Sequence, residues 1–320
     1  MNIVLPDAKT ITKGDLSLEP LEKYGSVTVH QLTGYEQLAE RVKDADVIIC
    51  NKTLLNSHTL RLAKNLKLIL LWATGYNNID IDYCNEKGIT VCNAGSYSAN
   101  AVAQHTFALI LELMNSTGAY NSFVQQGNWQ KSDIFSPFVY PLEELNGKTL
   151  GIFGYGAIGK AVAKIAKAFG MKVIAYSRSG KTDANAEPAS FDRLLAESRI
   201  VTVHCPLNQQ SLHIFNKETF AKMQRGAFFI NTARGGVMVE NDLRDALKSG
   251  LLGGAGIDVL ETEPMAQDCP IIGIENCIIT PHIAWAPMET RRRLLGIVCN
   301  NLKNFIDGAP TNVVNTPKKI

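Results

Sequence analysis

Three residues of this sequence, Arg234, Glu263 and His282, are of the types that reduction of a 2-oxo acid requires. That reaction needs a cation to grip the substrate carboxylate and polarise the carbonyl, which suits the planar fork of Arg234. It needs a proton donor at the carbonyl oxygen, and a histidine can donate near neutral pH. It needs a carboxylate behind that histidine, to orient it and keep it protonated until hydride arrives. Glu263 and His282 fit that pair, and Asp258 stands five residues before Glu263. Taken singly, these residues read as a surface arginine, a solvated glutamate and a hydrogen-bonded loop histidine. Their order and company point to chemistry. His204 and His105 read as structural or cofactor-wall residues rather than acid/base groups.

Such residues must be positioned by strands. In open α/β sheets ligands gather beyond the carboxyl ends of the strands. Apolar strand signals at 149–153, 172–176, 200–203, 227–231, 254–257 and 277–280 end next to these groups. The ends carry His204-Cys205-Pro206, Asn231-Thr232-Ala233-Arg234-Gly235, Asp258 and Pro281-His282. The first of these strands runs into Gly154-Tyr155-Gly156-Ala157-Ile158-Gly159, and a helix follows from 157 to 169. Gly154 permits the tight turn, Gly156 lets a pyrophosphate approach the backbone, and Gly159 lets helix pack on strand. The helix N-terminus adds free N–H groups and a favourable dipole. After the second strand come Ser177 and Arg178, with no acid to accept bonds from the ribose hydroxyls. A hydroxyl and a guanidinium can bind a 2′-phosphate that a carboxylate would repel. The expected cofactor is therefore NADP(H), with NAD(H) left open.

The N-terminal part alternates in the same way. Apolar runs at 2–5, 27–30, 46–50, 68–73 and 90–93 are separated by amphipathic stretches at 35–43, 57–64 and 79–87. That is the pattern of a parallel sheet with crossover helices. Asp80 and Asp82 fall near the start of the 79–87 helix, where they serve as capping or dipole-matched charges. A long helix is expected at 100–115, an irregular polar-aromatic region at 120–141, and a last helix at 287–305. The 320 residues carry 32 Lys+Arg against 30 Asp+Glu, a net charge of +2, with no dense basic run. The Lys318-Lys319 tail is too short to make one. Nucleic acid and anionic membranes are therefore not expected partners. Seven scattered cysteines, never in a CxxC pair, read as buried thiols of a reducing compartment, with no metal site. The N-terminus reads as a strand rather than a signal peptide, and no apolar run is long enough to span a bilayer. The expectation is a cytoplasmic globular protein.

Further motifs are Ala73-Thr74-Gly75-Tyr76-Asn77-Asn78-Ile79-Asp80, Val102-Ala103-Gln104-His105, Gly256-Ile257-Asp258-Val259 with Glu263-Pro264, and Pro281-His282-Ile283-Ala284-Trp285. With these, the chain resembles the D-isomer-specific 2-hydroxyacid dehydrogenase family over essentially its whole length. The resemblance implies an α/β fold of two doubly wound parallel-sheet domains. One is a discontinuous, flavodoxin-like substrate domain, 1–99 with 285–320; the other is a Rossmann dinucleotide-binding domain, 100–284. It implies that Arg234 binds substrate, that Glu263 and His282 form the acid/base pair, and that Asp258 contacts the nicotinamide side of the cofactor. Ala157 and Ile158 would line the pyrophosphate, and Cys205 and Pro206 would flank the adenosine. Thr232, Ala233, Arg234, His282 and Ala284 complete the expected cofactor-binding set. The backbone around Thr74 and Gly75 would hold the substrate carboxylate, with Tyr97 and Trp285 as further substrate-binding residues. A homodimer is implied, with 120–141 as part of its contact.

Within the family, Tyr97 and the His282 to Trp285 spacing look most like the glycerate dehydrogenase (hydroxypyruvate reductase) branch. That branch implies hydroxypyruvate reduced to D-glycerate, with glyoxylate as a second substrate. The missing acid at Ser177 departs from the NAD pattern. The end at Ile320 without a regulatory extension disfavours the longer phosphoglycerate dehydrogenases, and Glu263 stands where a formate dehydrogenase has Gln. Two alternatives stay open: a D-lactate or other D-2-hydroxyacid dehydrogenase, and a dinucleotide-sensing corepressor on the same fold. Against the corepressor stands the absence of disordered, Pro/Ser-rich or charged tails.

Overall fold

The computed structural model describes residues 1–318; Lys319 of the expected basic tail, and Ile320, lie outside the described residues. The chain divides into two compact units, Met1–Tyr97 with Ala286–Ile320, and Ser98–Trp285. Trp285, expected in the C-terminal segment of the first unit, belongs to the second.

The first unit holds five parallel strands: β1 (Asn2–Leu5), β2 (Ser26–Val29), β3 (Val47–Cys50), β4 (Leu68–Leu71) and β5 (Thr90–Cys92), in the order β2-β1-β3-β4-β5. That is the flavodoxin-like order. β3 and β4 are buried at every residue, which is why they read as unbroken apolar runs. The helices α1 (Tyr35–Val42), α2 (Ser57–Leu60) and α3 (Ile81–Glu86) connect them. Asp80 caps α3, its carboxylate accepting the Tyr83 N–H at 3.0 Å, so the helix begins after the cap rather than at 79.

The second unit opens with α4 (Ala99–Asn115) and α5 (Thr117–Gln125). Here 120–141 differs from expectation: part of it is helical, with α5 and a 3₁₀ turn at Trp129–Lys131. No residue of α5 is buried, so it has no core face to leave a periodic trace in the sequence. Then come β6 (Thr149–Phe153), α6 (Ala157–Ala168), β7 (Lys172–Tyr176), β8 (Glu187–Pro188), α7 (Phe191–Glu197), β9 (Ile200–Val203), α8 (Lys217–Ala221), β10 (Ala227–Asn231), α9 (Glu240–Lys248), β11 (Leu252–Ile257) and β12 (Cys277–Ile279). The seven-stranded sheet runs β12-β11-β10-β9-β6-β7-β8, all pairs parallel. Strand order reverses beside β6, the switch point where a doubly wound sheet binds its ligand. The last helix, α10 (Met288–Ile306), belongs to the first unit.

Register fixes what stands at that edge. Tyr176, Phe153, Val203, Asn231, Ile257 and Ile279 lie in one row across β7, β6, β9, β10, β11 and β12. The next residue of each strand is therefore Ser177, Gly154, His204, Thr232, Asp258 or Thr280. A second relation seats α4. A Cβ at Gly254 would stand 2.9 Å from Leu113 Cδ2, and one at Gly256 2.9 Å from Leu109 Cβ. The glycines of β11 let the helix approach the sheet closely.

Among the described residues no helix is long and apolar enough to cross a membrane. All seven cysteines are free thiols, five of them buried.

Candidate active site

The cradle at the switch point is built from three glycines with different constraints. Gly154 has φ +103°, and a Cβ there would stand 2.6 Å from the Cys205 nitrogen. Glycine is required on both counts: the backbone is left-handed, and the chain lies against 204–205. A Cβ at Gly159 would collide with the Gly154 carbonyl oxygen, so the first turn of α6 sits directly on the strand end. Gly156 is the opposite case, with nothing within 4 Å of its Cβ position. It is the N-cap of α6, and no side chain caps that helix. Gly156 and Ala157 are exposed and Ile158 is half-buried. Open space over uncapped N–H groups at a helix start fits a pyrophosphate. Cys205 borders the cradle through the 204–205 backbone and Pro206, next in the chain, is exposed; burial pushes the Cys205 thiol up to about 11, away from reactivity.

Beyond β7, the loop 177–181 carries Arg178 and Lys181 and no acid. The Ser177 hydroxyl donates to the Lys181 carbonyl at 3.1 Å, and the Lys181 N–H donates to Ser179 Oγ at 3.3 Å. Arg178 is exposed. The loop can present hydroxyls and cations to an anion.

The catalytic candidates come from the other strand ends. Asn231, fully buried, closes the loop after β10: its Oδ1 accepts the Ala233 N–H at 3.0 Å and its Nδ2 donates to the Arg234 carbonyl at 2.9 Å. Arg234 is half-buried and gives one N–H to the Ala233 carbonyl at 2.7 Å. A Cβ at Gly235 would collide with the Leu260 carbonyl, so glycine alone lets the Arg234 loop rest on the loop that leads to Glu263. There the Leu260 N–H donates to Glu263 Oε1 at 3.0 Å, and Glu263 Oε2 stands 2.6 Å from His282 Nδ1. An ionised carboxylate only accepts, so Nδ1 carries the hydrogen and Nε2 is the other working face of the ring. Both side chains keep partial access to solvent, 24% for His282 and 31% for Glu263.

Asp258 organises this turn. It is 1% exposed. Its carbonyl accepts the His282 N–H at 2.8 Å, and its carboxylate accepts the Ile283 and Ala284 N–H groups at 2.9 Å each. His282 has φ +54°, a left-handed conformation that costs a non-glycine residue on the order of 1 kcal/mol. Three amides bonded to one residue hold it there. Burial raises the Asp258 pKa, but the bonds from His105, Thr280 and the two amides outweigh it and hold the carboxyl below its usual range. His204, behind β9, is kept neutral: burial pushes it down to about 3. Its Nδ1 lies 3.5 Å from Thr232 Oγ1, and its Nε2 has no partner among the described residues.

In the first unit, Thr74 is exposed and tied to the segment that follows β5. The Asn93 amide donates to the Thr74 carbonyl at 2.7 Å, and the Thr74 hydroxyl donates to the Gly95 carbonyl. Gly75 is half-buried and Tyr97 buried, with the Tyr97 carbonyl accepting from Arg293 at 2.8 Å. Trp285 is half-buried in the second unit.

Sequence reasoning missed two features. Thr280 went unmarked, although it stands two residues before His282 and donates to Asp258 Oδ1 at 2.5 Å. Asp7 also went unmarked; it is 4% exposed and accepts the N–H groups of Asn51, Lys52 and Thr53, the last two at 2.7 and 2.8 Å. An acid two residues past the end of β1 was the one trace of it in the sequence.

Residues 107–284 match the family model described as D-isomer specific 2-hydroxyacid dehydrogenase, NAD binding domain. A hydroxypyruvate reductase of Blautia hydrogenotrophica is 42% identical over 321 residues, spanning 98% of this chain and all of that one. Among solved structures, the acyclic imino acid reductase Bsp5, in complex with NADPH and D-Arg, superposes with a TM-score of 0.88 at 29% identity, over 98% of this chain and 100% of that one. The D-lactate dehydrogenase of Aquifex aeolicus, complexed with NAD and lactic acid, gives 0.86 at 31% identity, over 99% and 100%. The dinucleotide cradle, the parallel sheets and these likenesses agree: the chain belongs to the D-isomer specific 2-hydroxyacid dehydrogenase family, oxidoreductases that use a nicotinamide cofactor.

Proposed function

We propose that this chain reduces hydroxypyruvate to D-glycerate, with glyoxylate as a second substrate and NADPH as the preferred cofactor. The observation that carries the reading is the 2.6 Å pair of His282 Nδ1 and Glu263 Oε2, on a turn locked by Asp258. The likeness to a hydroxypyruvate reductase over nearly the whole chain supports the substrate.

When bound, the reduced nicotinamide supplies a hydride to the carbonyl carbon of the oxo acid. Arg234 grips the substrate carboxylate through the N–H groups beyond the one given to Ala233, and draws density from the carbonyl. His282 Nε2 delivers the proton to the carbonyl oxygen, so carbon gains hydride and oxygen gains a proton in a balanced reduction. Glu263 accepts the Nδ1 hydrogen and keeps the ring turned so that Nε2 faces the carbonyl oxygen. The amides of Ala157 and Ile158 over Gly156 hold the pyrophosphate, and Thr232, Ala233, Asp258 and Ala284 serve the nicotinamide half. Thr74, Gly75, Tyr97 and Trp285 are the further substrate-binding residues of this reading.

The 2′-phosphate of NADPH is assigned to Ser177 and Arg178, because the 177–181 loop offers cations and hydroxyls without an acid. Among the structural neighbours, one was solved with NADPH and another with NAD. The chain acts as a homodimer in this reading. The support is an apolar stretch including Phe135, 90% exposed, and Phe138, 83% exposed. Seven free thiols support a reducing, cytoplasmic setting.

The test is the initial rate of NADPH and of NADH consumption with hydroxypyruvate, glyoxylate and pyruvate in turn. The expected result is fastest turnover with hydroxypyruvate and NADPH. Dinucleotide binding without turnover of any oxo acid overturns the reading.

A further inference from the structure

The face of α4 that packs on β11 has no part in the mechanism above. His105, Leu109 and Leu113 recur at a spacing of four and so share one side of the helix. Leu109 and Leu113 are the side chains that Gly256 and Gly254 admit onto β11. Seating them carries His105 to the end of that strand, where Asp258 begins. There His105 Nε2 lies 2.9 Å from Thr280 Oγ1 and 3.5 Å from Asp258 Oδ1.

The donors can be assigned in order. The Thr280 hydroxyl has one proton, and it goes to Asp258 Oδ1 at 2.5 Å. Thr280 Oγ1 must then accept, so His105 Nε2 carries a hydrogen and donates it. The chain runs from His105 through Thr280 to the Asp258 carboxylate, and from there to the amides after His282. Without Thr280 the carboxylate loses its shortest side-chain bond, and without His105 the Thr280 hydroxyl loses the donor that turns its proton toward Asp258.

We propose that His105 is a positioning residue: through Thr280 it fixes the Asp258 carboxylate, which holds the 282–284 turn, and thereby aims the His282 ring. The inference rests on the reading of His282 as proton donor. His105 does not touch the reacting atoms, so it governs the chemical step through alignment. Dinucleotide affinity is set mainly at the α6 cradle.

The test is steady-state kinetics with hydroxypyruvate and NADPH on H105F, H105Q, T280V, H105F/T280V and H282A. H105F is expected to lower kcat about 10-fold, a fraction of what an ångström of misalignment costs, and to leave the cofactor KM within about 2-fold. In H105Q the side-chain N–H can donate to Thr280 again, and kcat should return most of the way. The double variant should lose less than the product of the two single losses, because both changes act on the one Asp258 carboxylate, from which His105 Nε2 also stands 3.5 Å. Wild-type kcat in H105F, or a loss in H105Q equal to that in H105F, overturns the proposal. Should H105F not fold, T280V carries the test, since it cuts the chain one link later; an unchanged kcat there is equally fatal. Wild-type turnover in H282A would remove the proton-donor reading and this inference together. A slow H282A beside a normal H105F would remove the inference alone.

Discussion

Glu263 Oε2 and His282 Nδ1 stand 2.6 Å apart, although they leave the sheet from the ends of two different strands, β11 and β12. The pair is made possible by those strands being neighbours in register, with Ile257 opposite Ile279. Removing the ring should therefore strike the rate and spare binding. H282A is expected to lower kcat by about 10²-fold or more with a smaller effect on the oxo-acid KM. E263Q, which leaves the ring in place without its anionic partner, should fall between the two. Near-normal turnover in H282A ends the assignment.

Cofactor choice is decided in the 177–181 loop. R178A should weaken NADPH binding by roughly 10-fold, the worth of one charge-assisted bond to phosphate, and leave NADH nearly unchanged. Fluorescence titration of both reduced cofactors measures this directly. Equal losses for the two would make Arg178 a surface charge.

Stability should depend on pH through His204. Its pKa is pushed down by burial from 6.5 to about 3. The unfolded chain takes up a proton below its ordinary value while the folded chain stays neutral, so the unfolded state binds more protons in that window. Stability is complete above pH 6.5 and falls as pH drops from 6.5 toward 3, by at most about 1.4 kcal/mol per pH unit from this group. H204Q removes the term. Denaturant unfolding of both proteins at a series of pH values checks it; their curves should converge as pH falls, and parallel curves refute the claim.

Gly235 is where the two catalytic loops meet. G235A forces a Cβ into the Leu260 carbonyl, and one backbone must move. The expected outcome is a loss of about 2 kcal/mol or more in unfolding free energy, with kcat reduced in whatever protein folds. A variant with wild-type stability and rate would show that the loops yield without effect.

The exposed aromatic stretch gives a hydrodynamic prediction. Sedimentation equilibrium at micromolar concentration should find the wild type dimeric and F135D/F138D monomeric. A monomeric wild type overturns the dimer reading.

Much of this architecture is legible in the sequence, for physical reasons that differ from place to place. Strands buried on both faces, such as Val47–Cys50 and Ala227–Asn231, appear as apolar runs with nothing to confuse them. The glycines after β6 are spaced by the geometry of a turn that leads into a helix. Arg234, Glu263 and His282 stand out by their order and company, each in a loop that follows an apolar strand run downstream of the glycine loop. α5 leaves no such trace because none of its residues is buried. The bond from His105 to Thr280 spans 175 positions, and Asp7 meets its partners 44 to 46 positions away. Contacts of that separation have no local period, so only the folded chain displays them.

Gly156 has one more consequence. Because the space beside it is empty, the folded protein has no means of enforcing glycine there. A library screened for expression, solubility or thermal resistance would let alanine and serine accumulate at this position. The same library passed over an immobilised dinucleotide would lose them. Position 156 is thus a place where selection for a sound fold and selection for a working enzyme diverge, and the ligand alone keeps the residue small.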